Sequence, residues 1–217
     1  MSVKIILADD HKIFCEGLRF MLDEQPGFEV IATAPDGNTA AQLTRELLPD
    51  IVIADIGMPN LNGIEATRRI KAENPAVKII ALSMHSDKRF VAEMFKAGAS
   101  GYLLKDCDFE ELISAINAVM EDNTYISPAV AKTVIKDYVI GLQEDNTSVF
   151  DILTAREREV LQILAEGNTT HQIASTLFVS EKTVEAHRRQ IMKKLGINNV
   201  AGLIKYAIRE GLTTVEK

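Results

Sequence analysis

Five short apolar runs alternate with five stretches of helical periodicity over residues 3–120, and no other feature limits the fold of this chain so tightly. The runs lie at 3–8, 28–34, 51–54, 77–82 and 101–104, and several are rich in Val and Ile. Those at 51–54 and 77–82 are almost wholly apolar, as strands covered on both faces are. Between the runs, Phe14, Leu18, Met21 and Leu22 form one helical stripe and Ala40, Leu43, Leu47 and Leu48 a second. Ile64, Thr67 and Ile70 begin a third; Phe90, Met94 and Phe95 mark a fourth; Leu112, Ile113, Ile116 and Met120 mark a fifth. Turn signals such as Pro26-Gly27, Asp36-Gly37, Asn74-Pro75 and Gly98 separate the elements. A (βα)5 alternation predicts a five-stranded parallel sheet with helices on both faces. Open sheets of this kind set their sites beyond the carboxyl ends of the strands.

Polar residues stand at those ends. Asp9 and Asp10 follow the first run, Asp55 the third, Ser83 the fourth and Lys105 the fifth. Each has an ordinary reading alone: helix caps for the paired acids and Ser83, a turn for Asp55, a solvated lysine for Lys105. Together they suit an anionic phosphoryl group. Clustered carboxylates invite a hard cation such as Mg²⁺, and Mg²⁺ with Lys105 would neutralise phosphoryl oxygens. Ser83 would donate a hydrogen bond, and a carboxylate could be the acceptor nucleophile. Rival phosphate sites lack their signatures: no Gly-x-Gly-x-x-Gly follows the first strand, and no Gly-Lys-Ser/Thr loop occurs. An aspartyl-phosphate hydrolase would commonly carry a second acid two residues after its nucleophile, where this chain has Gly57.

The pattern changes near Asn123. Ser127-Pro128 opens a predicted helix through Val139, with Gly141 past its end, and the polar stretch 143–148 reads as a connection between domains. Only helix signals follow. Thr154 and Glu157 form a capping box, Gly167 closes that helix, and a second starts near Thr170. After the tight connection Phe178-Val179, Ser180 caps a third helix that stops at Gly196; a fourth runs from about Val200 to Glu210. Two helices joined by a short turn predict a helix-turn-helix. In the third helix Val184, Ile191 and Leu195 point inward, while Lys182, Glu185, Arg189 and Lys193 point outward.

Charge separates the same two regions. The 217 residues carry a net charge of −7, yet residues 1–150 hold 14 Lys and Arg against 23 Asp and Glu, whereas residues 151–217 hold 10 against 8. Only the C-terminal part has a balance suited to a polyanion. No apolar run approaches the roughly 18 residues of a membrane span, and the short apolar stretch before Asp9 does not make a signal peptide. Cys15 and Cys107 fit no zinc or redox spacing, so two reduced thiols in a cytoplasmic protein are expected.

Asp9-Asp10, Asp55-Ile-Gly57-Met-Pro59-x-x-x-Gly63, Ser83 and Lys105 in Tyr102-Leu-Leu-Lys105 resemble the receiver domain of two-component response regulators, over about residues 1–122. The resemblance implies a flavodoxin-like (βα)5 fold in which Asp55 accepts a phosphoryl group from a sensor histidine kinase. It implies Asp10, Asp55 and the Gly57 backbone carbonyl as Mg²⁺ ligands, with Asp9 acting through water or orienting the site. Ser83 and Lys105 would contact the phosphoryl group. Tyr102 matches a switch aromatic, or is simply a half-buried core tyrosine.

Leu153-Thr-x-Arg156-Glu157-x-Glu159-Val-Leu161, Ile173-Ala174, Ser180-x-Lys182-Thr183-Val184-x-x-His187 and Lys194-Leu195-Gly196 resemble the LuxR-type DNA-binding domain, with residues 123–149 left as a partly helical linker and 150–217 as the four-helix domain. Together the two resemblances point to response regulators of the NarL/FixJ type. They imply that Lys182, Thr183, Glu185, Ala186 and Arg189 face a DNA groove, with Arg188 and Lys193 on the backbone. His187 either packs or contacts phosphate. Glu185 either accepts from a cytosine amine or pairs with Arg189. The last helix either dimerises or packs within the domain. The implied protein is a switched transcription factor rather than an enzyme, a homodimer on promoter half-sites when phosphorylated. A DNA-binding protein with an inert receiver, and an aspartyl-phosphate hydrolase, are the other readings.

Overall fold

The computed structural model describes residues 2–84, 86–141 and 149–213, and the chain falls into two compact units. In the first unit β1 (Val3–Ala8), α1 (Lys12–Asp23), β2 (Phe28–Ala34), α2 (Gly37–Leu47) and β3 (Ile51–Asp55) come first. They are followed by α3 (Gly63–Glu73), β4 (Lys78–Ser83), α4 (Lys88–Ala97), β5 (Gly101–Leu104) and α5 (Phe109–Met120). Then β6 (Tyr125–Ile126) and α6 (Pro128–Gly141) complete it. The strands lie in the order β2-β1-β3-β4-β5-β6, and every pair is parallel.

Burial explains the strand sequences. All five residues of β3, at the sheet's centre, are buried, so an apolar β-branched run there can alternate with nothing polar. One core layer gathers Ile5, Leu7, Ile53, Ile80 and Leu103 against Leu112, Ile116 and Val119 of α5. Helix starts are set by side chains: Asp36 accepts from the amides of Asn38 and Thr39, and Asn62 from that of Glu65. Gly98, with φ of 104°, ends α4 in the left-handed conformation that favours glycine.

The expected sheet of five strands has six. Tyr125 pairs with Gly101 and Ile126 with Tyr102, held by amide bonds from Tyr125 to Ser100 and from Ser127 to Tyr102. Two residues are too few for an alternating pattern, so β6 left no periodic signal in the sequence. Residues 123–149, expected as a partly helical linker, thus contain β6, α6 and the first residue of a short helix. The polar stretch 143–148 lies outside the described residues.

The second unit is helical. It contains α7 (Val149–Ile152), α8 (Ala155–Ala165), α9 (Thr170–Thr176), α10 (Glu181–Leu195) and α11 (Val200–Arg209). Its core joins Val160, Leu161 and Leu164 of α8 to Ile173, Val184, Ile191, Leu203 and Ala207. The turn between α9 and α10 passes through Phe178, at φ of 54° and almost fully exposed, and Ser180 caps α10 by accepting from the Thr183 amide. Gly196, φ 66°, ends α10.

Candidate functional site

The sheet order brings the predicted acids together. β1 and β3 are neighbours, with Ala8 opposite Ala54, so Asp9 and Asp55 emerge side by side at the carboxyl edge. The chain leaves β1 and β3 toward opposite sides of the sheet, and the crevice where an open sheet reverses its winding is where ligands bind. Asp9 and Asp55 are buried, Asp10 and His11 exposed, and ligand atoms of all four lie within 4.8 Å of one another.

Lys105, at the end of β5, reaches across two strands to this cluster. Its Nζ is 2.7 Å from Asp9 Oδ2 and 3.3 Å from Asp55 Oδ1. It also sits 5.3 Å from the centre of the Phe14 ring on α1. Burial works against the Lys105 charge, but Asp55 and Asp9 outweigh it and its pKa is raised. Burial raises the pKa of Asp55, against Lys105 and a hydrogen bond from the Gly57 amide, and Asp9 adds to the rise. Ser83 and Tyr102 are fully buried. Burial pushes the Tyr102 phenol up, opposed by a hydrogen bond with Ser83. Tyr102 is therefore deeper than a half-buried core residue and is joined to the residue expected at the phosphoryl group.

The donor set suits a hard divalent cation: clustered carboxylate oxygens at a strand edge, one already charge-compensated by a lysine. Asp10, Asp55 and the Gly57 carbonyl are the residues expected to hold Mg²⁺, with Asp9 acting through water or orienting the site. His11 was missed by sequence reasoning. Its amide donates to Asp9 Oδ1 at 2.9 Å, and its Nδ1 lies 2.9 Å from Asp9 Oδ1 and 3.2 Å from Asp10 Oδ1. The available signal was its position directly after two acids. Cys15 lies under the cluster, its thiol on the Asp9 carbonyl at 3.6 Å. Burial pushes both cysteine thiols up to about 11, so neither is a reactive thiolate near neutrality.

In the second unit, α10 divides as its periodicity requires. Val184 and Ile191 are buried, and Lys182, Glu185, Ala186, Arg189 and Lys193 are exposed. Other polar groups of the helix are engaged inside the unit. Thr183 Oγ1 lies 2.8 Å from Ser180 Oγ, and Arg188 Nη1 donates to Thr170 Oγ1 at 3.1 Å. Arg188, expected on the DNA backbone, is half-buried and reaches α9 instead of open solvent. Among the described residues Glu185 forms no ion pair with Arg189, so the local pairing left open above is not formed. His187 is half-buried.

Lys194 is a second residue whose work the sequence concealed. Its Nζ lies 2.6 Å from Glu157 Oε2, and Glu157 is the buried acid of the α8 capping box. Burial raises the Glu157 pKa, but the Lys194 and Thr154 hydrogen bonds prevail and it is lowered. An acid depressed in the folded state stabilises at pH above its ordinary value of 4.5, and that stability is lost as pH falls through the folded value. Glu157→Ala is expected to destabilise the second unit by about 1–2 kcal/mol near neutrality, the size of a lost cap with its ion pair. The difference from wild type should shrink below pH 4.5. Urea unfolding at pH 7 and pH 3.5 reads both; an equal difference at the two pH values would remove Glu157 ionisation from the account.

No helix among the described residues is long and apolar enough to cross a membrane. Comparison with known proteins gives two family matches: "Response regulator receiver domain" over residues 5–117, and "Bacterial regulatory proteins, luxR family" over residues 151–207. The chain is 37% identical to the transcriptional regulatory protein DegU of Brevibacillus brevis, across 99% of this chain and 96% of that one. Among solved structures it is similar to two RcsB dimers bound to two parallel DNAs (26% identity, TM-score 0.59, 95% of this chain and 98% of that one). It is also similar to RcsB from Salmonella enterica serovar Typhimurium bound to a promoter in the presence of phosphomimetic BeF3− (25% identity, TM-score 0.62, the same shares).

Proposed function

The chain belongs to the response regulators that join a receiver domain to a LuxR-type DNA-binding domain, and from that membership we propose that phosphorylation of Asp55 by a sensor histidine kinase controls its binding to promoter DNA. The carrying observation is the convergence of Asp9, Asp55 and Lys105 at one sheet edge, with Ser83 at the end of β4 and Tyr102, within β5, hydrogen-bonded to it. An oxygen of the Asp55 carboxylate attacks the phosphorus of a phosphohistidine; the phosphorus–nitrogen bond breaks and the imidazole leaves with the electron pair. Lys105 stands beside the acceptor to meet the added charge. Bound Mg²⁺ would supply further positive charge toward the phosphoryl oxygens. Ser83 can donate to the phosphoryl group or stay with Tyr102, which makes that pair a two-position element.

The change of role falls within residues 123–149, with the receiver at 1–122 and the DNA-binding domain at 150–217. Phosphorylation releases the DNA-binding domain and favours a homodimer that reads two half-sites. A useful switch needs a few kcal/mol of differential stabilisation, within reach of two or three charge-assisted hydrogen bonds. The setting is the cytoplasm, where kinase and DNA are both met.

Binding of genomic fragments at fixed salt, with and without a small phosphodonor and Mg²⁺, tests the proposal. Tighter binding with donor is expected; identical binding in both states would remove phosphorylation from the control of affinity. Lys193→Ala should weaken binding to all sequences alike and lower the slope of log K against log salt by about one. A loss confined to particular sequences would instead make Lys193 a reader of bases.

A further inference from the structure

Glu185 is the anomaly of α10. It places an acid on the exposed face of the helix that the DNA-binding reading puts in the groove, where it repels phosphates and weakens non-specific attraction. It is not held by Arg189, and among the described residues it has no other hydrogen bond or ion pair. Arg189 is equally exposed and without a partner among the described residues. Thr183, Arg188 and Lys194, by contrast, are tied to Ser180, Thr170 and Glu157.

Resting on the DNA-binding reading above, we propose that Glu185 and Arg189 together read one C·G base pair in each half-site. A carboxylate only accepts hydrogen bonds. In the major groove guanine and thymine present only acceptors in reach of it, so an acid is tolerated opposite the cytosine N4 or adenine N6 amine alone. Arg189 selects between these two. A guanidinium pairs bidentately with guanine O6 and N7, and guanine is the partner of cytosine. At an A·T pair the guanidinium would face one thymine oxygen and a methyl group. Residues four apart share a helix face with Cβ atoms roughly 5–6 Å from each other, so both side chains can converge on a single pair. Glu185 thus contributes discrimination at one position rather than affinity, while Lys193 carries attraction to the phosphates.

The test is selection of binding sites from a randomised duplex library by the full chain, with phosphodonor and Mg²⁺ at fixed salt. Wild type, Glu185→Ala and Glu185→Gln are compared. Wild type should enrich a C·G pair at one position of each half-site, by about tenfold or more over the alternatives. Glu185→Ala should relax that position alone. Glu185→Gln should weaken the preference there without moving it to A·T, because the amide oxygen can still accept from cytosine N4 while Arg189 keeps its pairing with guanine. Thermal unfolding should not change, since Glu185 is exposed and unpaired among the described residues. Selected sites identical for all three proteins would overturn the inference, as would a uniform loss at every position. A wild-type chain that enriches no sequence would overturn the DNA-binding reading itself, and this inference with it.

Discussion

Asp55→Asn is expected to abolish covalent phosphorylation by a small phosphodonor and, with it, any donor-dependent tightening on DNA. The loss should be complete, because an amide cannot replace a carboxylate as nucleophile. Geometry favours Asp55 over its neighbour. Asp9 is also buried, but one of its oxygens accepts from the His11 amide at 2.9 Å and the other holds Lys105 at 2.7 Å. Asp55 is the looser partner of Lys105, at 3.3 Å, and lies at the end of the central strand. Intact-protein mass after donor treatment reads the result directly. An adduct of equal extent on the variant would move the acceptor to Asp9 or Asp10 and sink the assignment. DNA binding in the absence of donor should be retained, since the substitution keeps the side chain's shape at a site in the other unit.

The second large effect is steric. Gly63 opens α3, and its amide donates to the Ile56 carbonyl at 3.0 Å, turning the chain sharply after β3. A Cβ at position 63 would overlap the backbone carbonyl oxygen of Asp55 and lie 3.0 Å from the Ile56 Cα. These are backbone atoms at the end of the central strand and just beyond it, and they cannot rotate away as a side chain would. Gly63→Ala is therefore expected to destabilise the first unit by about 3 kcal/mol, at the upper end for overpacking. It should also displace Asp55 and slow its phosphorylation. Chemical denaturation and donor-labelling rate check the two parts. A variant with wild-type stability and rate would mean that the turn after β3 relaxes at no cost.

The sheet and the acidic edge were legible because they rest on short-range pattern. Strand runs of Val and Ile mark β1, β3 and β4, and the residue after each run is by construction at a carboxyl edge. Asp55 and Lys105 meet only because β3, β4 and β5 lie in sequence order, which the right-handed crossover rule makes the simplest arrangement. Contacts between distant residues were not legible. Lys194 reads as one more base on a basic helix, and nothing near it shows that Glu157, 37 residues earlier, holds it. Arg188 is similar: its bond to Thr170 depends on how α9 and α10 cross. The Thr183 hydroxyl was within reach of reasoning, since Ser180 stands three residues before it at an N-cap. β6 gave no warning because two residues carry no period.

That small strand decides how the sheet meets other proteins. Without β6, the outer side of β5 would offer a row of unsatisfied amides and carbonyls, the kind of border onto which a stray strand can add and seed aggregation. Tyr125 and Ile126 close that border with a minimum of chain, and α6 then packs against α4 and β5. The same economy sets where the protein can be divided. Ending the first unit at residue 122 strips the border bare, whereas carrying it through Gly141 keeps β6 paired along β5.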